Sequence, residues 1–307
     1  MFTNPKRLLK SRVLSALLCS VLLLASGCSS AKQKTAEPVG TQPARLCVAV
    51  SIVPEASYIK AIGEDLVEVE TMVPPGASPE NYAPSPQIME RLSLAKIYFA
   101  VGVPAETSGI LPRLRQVNRQ MKVVDLAAKV DQVYPAREIS PGEKDPHRWM
   151  SPRRAQEMVR IIAQELALAD PSNAEIYQKN ARIYQAQLAD LDQEIRNSLA
   201  KVKGRSFIVY HPAMGYFADD YGLKMIALEE EGKEANAHDL QAVIDKAKKE
   251  NIRVVFYQAE MDSKQAKTLA RELNGQAELI APLAPDYIEN LRKTAQVRPK
   301  FINFEKE

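Results

Sequence analysis

Three histidines, His147, His211 and His238, are the side chains of this sequence best suited to hold a transition metal, because neutral imidazole is the commonest protein ligand for such ions. His147 stands in Asp145-Pro146-His147-Arg148-Trp149-Met150-Ser151-Pro152, just ahead of a helix start. His211 follows the apolar run 206–210, in Tyr210-His211-Pro212-Ala213-Met214-Gly215-Tyr216-Phe217. In open parallel sheets, ligands bind beyond the carboxyl ends of the strands. One histidine on each such loop therefore suits a site in a cleft between two lobes. His238, behind Asn236-Ala237 at a helix start, is read as a surface residue. Trp149 and Tyr216 adjoin the two loop histidines, where they would wall a site from water or simply fill core. The acidic run 229–231 reads as a solvated loop.

The element that would position these loops is a long helix over 171–202. Its apolar or aromatic residues fall at 177, 181, 184, 188, 191, 195, 199 and 202, the three-and-four spacing of one helical face. Asp170 followed by Pro171 is a start signal, and Gly204 after Lys201 and Lys203 is a stop. At ~1.5 Å per residue, the span is a rod of roughly 48 Å. No heptad charge code accompanies it, so one helix crossing the whole protein is expected in place of a coiled coil. A continuous helix is a poor hinge, so only small lobe movements are expected.

Strand and helix patterns alternate on both sides of this rod. Before it, strands are expected at 46–53, 67–73, 97–101 and 122–125, with helices at 55–62, 87–95 and 107–119 between them. The segment 131–146 reads as loop, and a further helix is expected from 151 to 169. After the rod, strands are expected at 206–210, 223–228, 252–257 and 278–281, with helices at 214–221, 239–250, 263–273 and 285–295. The fold class is therefore α/β: two lobes, each a roughly four-stranded parallel sheet flanked by helices, joined by one long backbone helix. The domain reading is a signal peptide over 1–27, a tether over 28–44, a first lobe over 45–169, the connecting helix over 170–203 and a second lobe over 204–307.

The amino terminus sets the compartment. Lys6, Arg7, Lys10 and Arg12 precede an apolar run to Leu24, and Leu24-Ala25-Ser26-Gly27-Cys28 then leads small residues into a cysteine. That is a secretory signal, too short to stay as a spanning helix. It resembles the processing site of bacterial lipoproteins, which implies that Cys28 becomes residue one and carries the lipid. Removal of the signal takes four cations and no anions from 41 basic and 38 acidic residues, leaving 37 against 38. The basic balance thus belongs to the signal, and no nucleic-acid partner is expected. Cys19 leaves with the signal and Cys28 is lipidated, so Cys47 has no partner for a disulfide and is read as a small core residue.

Four stretches, taken in order, resemble the metal-binding receptors of bacterial ABC importers that take up zinc and manganese. They are Pro75-Gly76-Ala77-Ser78-Pro79-Glu80-Asn81-Tyr82-Ala83-Pro84-Ser85-Pro86; the His147 stretch; the His211 stretch with Asp220-Tyr221-Gly222-Leu223; and Phe256-Tyr257-Gln258. The resemblance runs from residue 46 onward and implies a metal held between the lobes, with His147 and His211 as ligands. Tyr82 then also adjoins the site. Glu80 falls where the family ordinarily has a histidine ligand, Gln258 where it often has glutamate, and Ala281 where it usually has a ligating aspartate. Glu80 would complete a set of two histidines and one carboxylate, suited to Zn2+ or Mn2+, and to Fe2+ as well. The fourth position falls to water, Gln258, Asp286 or Glu260. The other reading is a site that has decayed or turned to another ligand; a carboxylate gained at 80 as one is lost at 281 favours the first.

What the resemblance implies is an extracytoplasmic, lipid-anchored receptor, no enzyme, that acts as a monomer and delivers its metal to a permease with its ATPase. Alternatives are a receptor for a chelated or larger ligand and an adhesin-like surface role. Metal-assisted hydrolysis lacks a second acid at a defensible spacing.

Overall fold

The computed structural model describes residues 45–302 apart from 231, 232, 235, 262 and 263. The signal, the tether and Cys28 lie outside the described residues.

The first half holds β1 (Leu46–Val50), α1 (Val53–Gly63), β2 (Val67–Thr71), α2 (Pro86–Ser93), β3 (Ile97–Ala100), α3 (Leu111–Val117), β4 (Lys122–Asp125) and α4 (Leu126–Asp131). Its four strands are all parallel, in the order β2-β1-β3-β4. β1 and β3 read as near-continuous apolar runs because helices cover both faces of the sheet. The segment expected as loop after 131 carries a small antiparallel hairpin, β5 (Glu138–Ser140) with β6 (Glu143–Lys144). Elements of two and three residues are too short to show a period, as is α4, whose start is fixed by Asp125 accepting the Ala128 N–H at 2.8 Å. The helix expected at 107–119 begins instead as a wide turn, Glu106–Ile110, broken where Gly109 takes a φ of 111°.

Two helices lie between the sheets along the chain, α5 (Pro152–Ala169) and α6 (Ala174–Leu199). Ser151 caps α5 by accepting the Arg154 N–H. Short 3-10 turns, Pro171–Asn173 and Ala200–Val202, extend α6 at both ends, so helical backbone covers the whole expected span. Tyr177, Ala181, Leu188, Leu191, Ile195, Leu199 and Val202 are buried and Tyr184 half-buried, which is the predicted face. The expected cap works differently. The Asp170 carboxylate accepts from the Asn173 side-chain amide and the Tyr177 hydroxyl, both at 2.7 Å.

The second half holds β7 (Ser206–Val209), α7 (Gly215–Tyr221), β8 (Lys224–Ala227), β9 (Glu229–Glu230), β10 (Lys233–Glu234), α8 (Ala237–Lys249), β11 (Val254–Gln258), α9 (Lys264–Glu272), β12 (Gln276–Ile280) and α10 (Tyr287–Ile302). The main sheet, again parallel, runs β12-β11-β7-β8. Counted within its own half, that is the order of the first sheet: second strand, first, third, fourth. In both sheets the chain reverses direction of winding between the first and third strands, the place where such sheets open a crevice. β9 and β10 pair as a hairpin within 229–234, a segment that was expected to be loop and that opens with the acidic run.

α6 packs against α1 and α5 on the first lobe and against α10 on the second. One apolar core runs from Leu46 and Ile59 through Leu188 and Leu191 to Phe207 and Leu291, and both lobes belong to one compact unit. A second core, including Ile208, Val255 and Leu269, fills the other face of the second sheet. Among the described residues, no helix is long and apolar enough to cross a membrane.

Candidate metal centre

Three predicted side chains converge in the cleft. His147 Nε2 and His211 Nε2 lie 3.1 Å apart, and Glu80 Oε1 lies 3.8 Å from the first and 3.5 Å from the second. Ligand atoms of a tetrahedral zinc site with bonds of ~2.0–2.1 Å stand about 3.3 Å from one another, so the three atoms span one face of such a polyhedron. Glu80 Oε1 is a buried acceptor with no hydrogen-bond donor, an arrangement that calls for positive charge in the gap.

Local structure aims each ligand. The Asp145 carboxylate accepts both the His147 backbone N–H (2.9 Å) and its ring Nδ1–H (2.8 Å), a turn closed by the Asp-x-His spacing itself. Asp145 is in turn bound by Arg137 at 3.1 Å. Burial opposes its charge, yet the His147 and Arg137 contacts hold its carboxyl below the ordinary range. Gly215 leaves room for this pair, since a Cβ there would stand 2.6 Å from Asp145 Oδ2 and 2.7 Å from the Arg137 guanidinium.

His211 follows β7, and its Nδ1–H donates to Glu229 Oε2 at 3.0 Å. Glu229 is 5% exposed, which corrects the solvated-loop reading: its N–H bonds Tyr210 O at 2.9 Å, and that register turns the side chain inward. With each Nδ1–H directed at a carboxylate, both Nε2 atoms point into the gap, where loss of the His211 proton would leave two lone pairs for a metal. Burial pulls the His211 pKa down, but Glu229 and Glu80 outweigh it and push it up to about 9. Burial likewise disfavours the Glu80 anion, and His211 and His147 overcome it and lower the pKa.

A cavity of about 850 Å³ opens beside the three atoms, with Glu143, Glu229 and Glu260 on its wall. Behind them is a gap of about 10 Å³, bordered by Trp149, Gln258 and Glu260 and room for a single water-sized occupant. Gln258 Nε2 and Glu260 Oε2 are buried there without partners. Asp286 is exposed ahead of α10 and lines neither space, so the structure removes it from the candidates. Tyr216 supports the site from behind, donating to Asp145 O at 3.1 Å. Tyr82 is half-buried against the core, and His238 is 93% exposed, as expected of a surface residue.

The sequence reading missed Asp145 and Glu229 as partners of the histidines. Glu229→Gln keeps the size and removes the charge. It is expected to weaken zinc binding by ~10- to 100-fold, the usual effect of losing a carboxylate behind a ligating histidine. It should also lower the His211 pKa. Competition titration and histidine NMR titration of the metal-free protein measure the two effects.

These features define a class: a two-lobed α/β protein whose lobes are joined by one long helix and whose loops bring Glu80, His147 and His211 together between them. The chain belongs to the family described as ZnuA, zinc-uptake complex component A periplasmic, whose profile matches residues 48–297. It is 29% identical over 277 residues to the high-affinity zinc uptake system protein ZnuA of Bacillus subtilis (strain 168), covering 86% of each chain. A manganese ABC transporter substrate-binding lipoprotein, PsaA of Streptococcus anginosus, is 26% identical over 277 residues, covering 86% of this chain and 87% of that one. A crystal structure of ZnuA superposes with a TM-score of 0.80 at 35% identity, covering 85% of this chain and all of the other.

Proposed function

We propose that this protein is the extracytoplasmic receptor of an ABC importer, capturing one divalent zinc ion through Glu80, His147 and His211 and passing it to a permease with its ATPase. The observation that carries this reading is the convergence of two carboxylate-backed imidazoles and an unpartnered buried carboxylate oxygen on one gap. Its chemistry is coordination and release. The remaining coordination position faces Gln258 and Glu260, because Ala281 has no ligand atom. Lipid on Cys28 anchors the receptor, which works as a monomer. Manganese is the second reading: an oxygen ligand at position 80 is harder than imidazole, and a manganese receptor is among the relatives. Elemental analysis of the purified protein with competition titration of Zn2+ against Mn2+ tests both. About one zinc per chain, held at least ~10-fold more weakly after Glu80→Ala, is the expected result. A chain that binds neither ion contradicts the proposal.

Acid should release the metal. With the His211 pKa near 9, zinc must displace a proton from the site at neutral pH. Affinity is expected to rise up to ~10-fold per pH unit between pH 6 and 8. Calorimetry in buffers of different ionisation enthalpy reads the released proton. The metal-free fold behaves oppositely. A histidine whose folded pKa is raised stabilises fully below its unfolded value of 6.5, and that contribution is lost as pH rises through about 9. Thermal melts of metal-free protein should therefore fall over that window, and those of the zinc-loaded protein should not.

A further inference from the structure

The crevice of the second sheet, between the ends of β7 and β11, presents His211 and Gln258 to the metal gap. The matching crevice of the first sheet, between the ends of β1 and β3, is filled by the protein's own carboxylate. Glu106, 1% exposed, accepts the N–H of Val101 at 2.9 Å and of Gly102 at 2.8 Å, and the Ser51 hydroxyl. Glu106 thus occupies the strand-end amides where an anionic ligand would otherwise sit.

We propose that Glu106 is a positioning residue for metal capture, fixing the turn 101–105 that in turn holds the Glu80 loop within reach of the two histidines. The link is short. Ala105 N–H, one residue before Glu106, donates to Pro79 O at 3.0 Å, one residue before Glu80. Gly102 and Pro104 of the same turn line the cavity together with Glu80. Local bonds close the far side of the turn, Glu106 N–H to Val103 O at 2.9 Å, Thr107 Oγ1 to Pro104 O at 3.1 Å and Ser108 Oγ to Ala105 O at 3.0 Å, and its two leading amides are bound by this one carboxylate. Around Glu106 stand Glu55 of α1, which takes the Ser51 and Ile52 N–H groups, Tyr98 of β3, whose hydroxyl meets Ser51 Oγ at 3.0 Å, and Asp125 at the end of β4. Burial, with Asp125 adding, pushes the Glu106 carboxyl up to about 7 against the pull of its donors.

The inference rests on Glu80 being a ligand, and a double-mutant cycle separates the two questions. Zinc affinity would be measured by competition with a chromophoric chelator in wild type, Glu106→Gln, Glu80→Ala and the double variant, with thermal melts confirming folding. Glu106→Gln is expected to weaken binding by ~10-fold in the wild-type background and by less than ~2-fold once Glu80 is alanine. Hydrogen exchange at the Ala105 amide should speed up in the same variant. Glu55→Gln, at a buried acid that does not touch this turn, should bind zinc as wild type does. If Glu106→Gln does not fold, Ser51→Ala, which removes only the hydroxyl from the same carboxylate, takes its place in the cycle. Wild-type affinity in the single variant, or the same loss in both backgrounds, overturns the proposal. Failure of wild type to bind zinc instead overturns the function on which it rests.

Discussion

Replacing His211 with alanine is expected to weaken zinc binding by more than ~100-fold, since loss of a mere hydrogen-bond partner behind a ligand already costs ~10- to 100-fold. His147→Ala should do the same. Each substitution removes a nitrogen from a face of three ligand atoms, and neither neighbour can replace it: Glu80 Oε1 is 3.8 Å from one ring and 3.5 Å from the other. The His211 variant has a second consequence. It leaves Glu229, 5% exposed, and the buried Glu80 Oε1 without the imidazolium that stands beside both. The metal-free His211→Ala protein should therefore also melt lower than wild type below pH 9, and His211→Gln should recover part of that stability without recovering the zinc. Titration against a chelator and a melt at pH 7 separate the two losses. Near-wild-type affinity in either alanine variant would remove that histidine from the site.

How far the site could be read without coordinates depended on the kind of signal each residue left. The long helix was legible because eight spaced apolar positions repeat one physical demand, and all eight face the core or its margin. His211 was legible because a strand end and a rare residue type coincide, and His147 because a rare residue type stands just ahead of a helix start. Glu80 was not legible from chemistry alone; an acid in a proline-rich loop looks solvated, and only the family pattern singles it out. Glu229 was misread for a related reason. A run of acids gives charge without direction, and the direction came from a backbone bond to Tyr210. Asp145 was missed although its signal stands in the chain, two residues before His147 in an Asp-x-His spacing that closes on the histidine N–H. The hairpins of two and three residues left no period at all.

Removing the Asp220 carboxylate is expected to destabilise the folded protein by about 3–5 kcal/mol, far more than any exposed ion pair of the chain would. Asp220 lies on α7 of the second lobe with its side chain fully buried. It accepts from Arg154 at 3.1 Å and from Ser151 and Arg153, all at the start of α5 in the first lobe. Arg154 is 6% exposed and lies with its guanidinium 4.4 Å from the Tyr216 ring centre, so Asp220→Ala would strand a cation inside the protein. Asp220→Asn, which keeps the shape and one acceptor, should cost less. Glu157→Ala, which breaks the exposed pair with Arg160 on the same helix, should change stability by no more than ~1 kcal/mol. Denaturant unfolding curves for the three variants decide this, and equal losses for Asp220→Ala and Glu157→Ala would refute it. The same contact bears on metal release. Ser151, four residues beyond His147, caps α5 and is held by Asp220, while Trp149 donates to Pro282 O at 3.1 Å and Tyr287 to Trp149 O at 2.6 Å. The lobes are thus riveted beside the histidines as well as along α6. On the proposed function, release of the metal would fall to the loop that carries Glu80, whose Pro79 carbonyl accepts the Ala105 N–H at 3.0 Å.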